Sequence, residues 1–139
     1  MLRLAAGGGW RGRFEVPSDP RAPTHSTDIV LERGDQPALI EIWNRVDDLG
    51  AAARSSDRKL AAVRQRAELV VGSCWLFVDT AANGAIVRRY PAILRARFTG
   101  SSAGWVRALT NAAPPPRDPG LAWIDAGVGR LRELRLRTD

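Results

Sequence analysis

Between Ser26 and Gly50 the chain reads STDIVLERGDQPALIEIWNRVDDLG, and this stretch leaves little freedom in what can form around it. Ile29, Val30 and Leu31 are apolar and mostly β-branched, as strand residues are. Arg33-Gly34-Asp35-Gln36-Pro37 carries turn chemistry, and Ala38 to Trp43 is a second apolar run broken only by Glu41. The pattern predicts a strand, a tight turn, a second strand and then the start of a helix. Each arm of the hairpin holds one carboxylate, Asp28 on the first and Glu41 on the second. A carboxylate in a run bound for a sheet core is costly to bury unless something pairs with it. Two of them on the arms of one hairpin can converge at a common edge. Such a pair suits a divalent cation, because hard cations take oxygen ligands.

The rest of the chain arranges itself around that hairpin. Arg11 to Val16 reads as an edge strand closed by Pro17. Asp47 and Asp48 open a helix that runs to about Ala67, where they cap free N–H groups and complement the dipole. Leu49, Ala53, Ser56, Leu60, Val63 and Ala67 fall on one stripe of that helix, and Lys59 lies beside the stripe. From there its stem can pack while the ammonium reaches toward the sheet edge. Leu69 to Val78 is the most apolar run and predicts a central strand. Asp79 and Thr80 lead into a turn ending at Asn83-Gly84. Ile86, Val87, Tyr90, Ile93, Leu94 and Phe98 then repeat at helical spacing, with Pro91 predicting a kink or the start of a second helix. Trp105 to Leu109 suits a short helix, Ala113 to Gly120 a proline-rich loop, and Leu121 to Ile124 a last short strand. Residues 126–139 form a basic tail that a helix, a strand or fraying would suit equally. The whole, residues 1–139, fits one domain.

Charge narrows the partners. The formal net charge is +6, and Lys59 is the only lysine among 21 basic residues. GC-rich coding accounts for most of that arginine bias; a polyanion partner is the functional alternative, since arginine suits bidentate phosphate contacts. Arg88, Arg89, Arg95 and Arg97 cluster with no acid among them. Cys74 is alone, so no internal disulfide forms. No apolar run has the length of a membrane span, and the opening segment is too short for a signal peptide. A cytoplasmic protein with no membrane association is expected. His25, the only histidine, lies in a polar loop, where it either assists a neighbouring carboxylate or is simply exposed. No glycine-rich phosphate loop and no Cys/His grouping for zinc is present.

Asp28, Leu39-Ile40-Glu41-Ile42, Asp57-Arg58-Lys59, Asn83 and Leu121-Ala122-Trp123-Ile124 together resemble the PD-(D/E)xK nuclease superfamily. The closer likeness is to the nuclease-like domain found behind helix-turn-helix regulators of high-GC actinobacteria. The resemblance implies a restriction-endonuclease-like α/β fold, a mixed central sheet flanked by helices, with the N-terminal helix truncated. It implies that Asp28, Glu41 and the backbone carbonyl of Ile42 hold a metal, Mg²⁺ in an active member. Trp43 stands where the family has its catalytic lysine, and an indole N–H donates one hydrogen bond and carries no charge.

Three functions follow from this departure. In the first, the domain is degenerate and holds no cofactor. It acts without cleavage in DNA-associated binding or regulation, with DNA contacts from Arg45, Arg88, Arg89, Arg95 and Arg97. A protein partner or a second copy would then cover the place of the missing helix. In the second, it is a Mg²⁺-dependent DNA endonuclease using Asp28, Glu41 and a displaced Lys59. In the third, it is a truncated fragment of a longer helix-turn-helix regulator. If no metal is held, Asp28 and Glu41 are expected to pair with Arg45 or Arg58, and Trp43 to fill the space the lysine vacated.

Overall fold

The computed structural model describes residues 8–15, 26–34, 36–67, 72–125 and 127–137. Six strands form one mixed sheet: β1 (Arg11–Glu15), β2 (Ser26–Arg33), β3 (Gln36–Trp43), β4 (Gly72–Val78), β5 (Gly120–Ile124) and β6 (Leu131–Glu133). They lie side by side in chain order. The first three are antiparallel neighbours, β3, β4 and β5 run parallel, and β6 returns antiparallel. Four helices complete the α/β architecture: α1 (Leu49–Ala67), α2 (Ala81–Arg89), α3 (Pro91–Arg97) and α4 (Ser102–Asn111). Among the described residues no helix is long and apolar enough to cross a membrane.

The hairpin is tighter than its sequence suggests. Arg33 pairs with Gln36, so the connection is two residues long, and Gly34 takes the left-handed φ of 63° that the turn requires. Pro37 belongs to β3, opposite Glu32. The ladder to β4 begins one residue later at Ala38, so the missing proline N–H removes no bond from it. Because side chains alternate along a strand, this register sends the hairpin's residues to two different cores. Ile29, Leu31, Ala38 and Ile40 pack with Cys74, Leu76 and Ala122 under Trp105 and Leu109 of α4. Val30 and Leu39 pack under Val63 of α1, and Trp43 joins Trp75, Phe77, Leu94 and Phe98 beside them. Helix α4 comes so close to the sheet that a Cβ on Gly120 would lie 2.0 Å from the Trp105 ring.

Several boundaries depart from the sequence reading. Asn83-Gly84 does not end a turn. Thr80 caps α2, its side chain accepting from the Asn83 N–H, and the pair lies inside the helix's first turn. Pro91 does begin a second helix, after a break at Tyr90. The short helix around Trp105 extends over Ser102–Asn111, capped by Ser101. Leu121 to Ile124 is not the last strand, and the basic tail is not frayed along its described length. Leu131 and Leu134 are buried, and the Leu134 N–H donates to Ser102 Oγ at 2.8 Å. Two leucines with a core to enter, each contributing about 1.5–3 kcal/mol on full burial, settle a pattern that was ambiguous by itself. His25 and the first residues of the predicted central strand (Leu69 to Val71) lie outside the described residues, as do residues 1–7.

Candidate functional site: two carboxylates and an internal ammonium

The β2–β3 register sets Asp28 directly opposite Glu41. Both side chains therefore leave the sheet on the same face, the one covered by α1. Neither is solvated: Asp28 is 4% exposed and Glu41 0%. Two like charges opposed in a core would not hold without a counter-charge. α1 supplies it. Its buried line is Leu49, Ala52, Ser56, Lys59 and Val63, a spacing of three and four residues. That line keeps Leu49, Ser56 and Val63 of the expected stripe but has Ala52 and Lys59 where Ala53 and Leu60 were expected, and it places Lys59 in the middle of the packed face instead of beside it. The Lys59 ammonium lies 2.7 Å from Asp28 Oδ2 and 3.7 Å from Glu41 Oε2.

Further contacts hold the group in place. Ser56, one turn before Lys59 on the same face, donates its hydroxyl to Glu41 Oε1 and accepts from Trp75 Nε1–H at 3.0 Å. The chain of donors thus runs from an indole through a hydroxyl to a carboxylate. Trp43, two residues beyond Glu41, presents its ring on this face with the Lys59 ammonium 5.7 Å from the ring centroid. It packs against Trp75 with ring centroids 5.0 Å apart. Its own Nε1 is buried without a hydrogen-bond partner. Burial pushes Glu41 up to about 7, with the Asp28 charge adding to the rise. The Ser56 hydroxyl, Lys59 and Arg97 pull the other way and do not cancel it.

The residues singled out from the sequence separate into two groups. Asp28, Glu41 and Lys59 meet. The partner of the two acids is Lys59, not Arg45 or Arg58: Arg45 is exposed and pairs with Asp47 at 2.6 Å, and Arg58 lies on the outer side of α1. Ile42 is paired with Thr27 on one side and Leu76 on the other, and its side chain packs on the α4 face. The arginine cluster also divides. Arg97 turns inward, bonded to Asp57 Oδ1 at 2.7 Å and to the Ala53 carbonyl, with its guanidinium 5.3 Å from the Trp75 ring. Arg95 donates to the Arg137 carbonyl. Arg88 and Arg89 are exposed.

Two residues named from the sequence have tasks that it did not assign. Ser56 was placed on the apolar stripe but given no task; a lone hydroxyl on such a stripe is the signal that it answers a buried polar group. Asn83 is fully buried, and its amide donates to the carbonyls of Trp43, Asn44 and Val78 while its oxygen accepts from the Val46 N–H. It ties the ends of β3 and β4 together just beyond Trp43.

A divalent ion does not fit this donor set as it stands. An ammonium already occupies the place between the two carboxylates, and among the described residues no third acid joins them. Among the described residues no group of three or more His, Cys, Asp or Glu side chains is placed to hold a metal. No family model matches the chain, and neither does any curated protein or solved structure.

Proposed function

We propose that the chain is a degenerate PD-(D/E)xK nuclease-like domain of restriction-endonuclease-like fold that binds DNA, or assists its regulation, without cutting it. One observation carries the reading: the opposed Asp28 and Glu41, the pair the resemblance requires, enclose a lysine ammonium 2.7 Å from Asp28, where a nuclease needs a metal. The strand position that would arm the attacking water is held by Trp43, packed into an aromatic cluster with Trp75 and Phe98. An ammonium held against two acids is not free to orient an attacking water. The net charge of +6 and the exposed Arg88 and Arg89 support contact with nucleic-acid phosphates.

The test is plasmid DNA incubated with the protein and Mg²⁺ or Mn²⁺, alongside fluorescence anisotropy on a duplex at rising salt. The expected result is no nicking, with binding that weakens as salt rises and weakens further in Arg88→Ala/Arg89→Ala. Metal-dependent nicking that disappears in Glu41→Ala would establish the endonuclease reading instead. Absence of binding at low salt would remove DNA as the partner.

A further inference from the structure

Carboxylate pairs in a protein core are held by what lies between them. Here the occupant is a side chain of the same molecule, and its geometry is that of a bound cation. The ammonium lies 2.7 Å from Asp28 Oδ2 and 3.7 Å from Glu41 Oε2. Among the described residues neither Asp28 Oδ1 nor Glu41 Oε2, the oxygen facing the ammonium at 3.7 Å, accepts a hydrogen bond, although both are fully buried. Buried carboxylate oxygens without donors are rare, because each forfeits the hydrogen bonds that water gave it. Four oxygens from two strands, two of them without a hydrogen bond, form an oxygen-lined site that the lysine satisfies only in part.

We infer that the Lys59 ammonium is the resident cation of a two-carboxylate site, which closes the wild-type chain to divalent ions, and that removing the ammonium opens the site to one. The ligand class is a hard divalent cation, since every donor is a carboxylate oxygen. Lys59 enters from α1, not from the sheet, so shortening it leaves Asp28 and Glu41 in their register on β2 and β3. The vacated space has the size of a lysine side chain and admits an ion with its remaining waters. With only two protein ligands the affinity falls at the weak end of oxygen sites, about 10⁻⁴–10⁻³ M. Trp43, whose ring centroid lies 5.7 Å from the ammonium, stays in place as an apolar wall.

This inference shares its residues with the non-cleaving reading and rests on it, but the two fail separately. Plasmid cleavage by the wild type sinks that reading; the result below concerns variants that need not touch DNA. Mn²⁺ chloride is titrated into the full chain and into Lys59→Ala and Lys59→Met, with free Mn²⁺ read by its EPR signal. Lys59→Ala is expected to bind one Mn²⁺ at least tenfold more tightly than the wild type, and adding Asp28→Asn is expected to abolish the gain. Lys59→Met keeps the apolar stem and should gain less. If Lys59→Ala is unfolded without metal, Mn²⁺ but not NaCl of equal ionic strength should restore its far-UV circular dichroism. Wild-type binding as tight as the variant's, no gain in either variant, no recovery of an unfolded one, or a gain that survives Asp28→Asn each overturns the inference.

Discussion

The two faces of the β2–β3 hairpin deal with buried charge in opposite ways. On the α1 face, charge answers charge: Asp28 and Glu41 lie against Lys59, with Ser56 as the one hydroxyl that helps. On the α4 face the cation Arg33 is met by carbonyls, with no acid in the bonds it makes among the described residues. Its guanidinium donates to the carbonyls of Gly8 at 2.9 Å, Ala113 at 2.7 Å and Ala108 at 3.4 Å, and it stacks 4.5 Å from the centre of Trp10. Those carbonyls cluster at the C-terminus of α4, where the helix leaves acceptors unpaired and its dipole is negative. Trp10 adds a bond from its indole N–H to the Ala108 carbonyl at 2.8 Å. Gly8 sits so close that a Cβ there would lie 2.8 Å from Leu109 O. A fixed dipole does not titrate or leave; an ionic group can do both. The α4 face is therefore a structural clamp, while the α1 face holds an ionic group in which Glu41 titrates.

The largest effect expected from breaking this comparison is on the α1 face. Lys59→Ala leaves two buried carboxylates facing each other with no counter-charge, and removing one partner of a buried pair costs about 3–5 kcal/mol. Urea denaturation at pH 8 without divalent ions should show that loss. The triple change Lys59→Met/Asp28→Asn/Glu41→Gln removes the charges together and should recover most of it. A Lys59→Ala protein as stable as the wild type would mean that the ammonium is not compensating the acids.

The second effect has a sign that distinguishes the faces. Glu41 has a folded pKa of about 7 against an ordinary value of 4.5, because burial disfavours its charged form. Between those two values the folded state holds a proton that the unfolded state has released. Stability from this group is thus fully present below pH 4.5 and is lost as pH rises through 7. The rise corresponds to about 3 kcal/mol at most, at roughly 1.4 kcal/mol per unit. Glu41→Gln stays neutral and keeps an acceptor for the Ser56 hydroxyl, so the difference between it and the wild type should shift in its favour from pH 4 to pH 8. Parallel stability curves for the two proteins over that range would show that Glu41 does not titrate in the folded state.

Much of this was legible from residue order alone. The hairpin and its two carboxylates followed from apolar runs, turn chemistry and a side-chain period of two, which together fix the register and so the common face. The identity of the partner was harder. Leu60 is the more apolar neighbour and drew the helical stripe toward itself, while the folded helix turns the Ser56–Lys59 line inward to meet the acids. Composition rewards the apolar residue; a tertiary charge decides for the polar one. Asn83-Gly84 reads as a turn by local chemistry. Only the carbonyls converging from the ends of β3 and β4 make that asparagine more useful inside a helix. The tail shows the same limit, since its alternating leucines choose strand because β5 offers an open edge.

The smallest effect is expected on the dipole-compensated face, and its form is as informative as its size. Arg33→Ala removes three charge-assisted bonds to carbonyls and the stack on Trp10, but it leaves no stranded acid, and the Ala108 carbonyl keeps its bond from the Trp10 indole. A loss of about 2 kcal/mol is expected, within the range for hydrogen bonds made by a charged donor. Arg33→Lys should recover less than half, because one ammonium cannot span three carbonyls that a planar guanidinium reaches with two nitrogens. Urea denaturation from pH 5 to pH 9 measures both variants. The Arg33→Ala loss should be constant across that range, in contrast with the Glu41 difference, since neither a guanidinium nor a peptide carbonyl changes charge there. If the loss instead varies with pH, or equals that of Lys59→Ala, then an ionisable group supports Arg33 after all, and the two faces do not differ in kind.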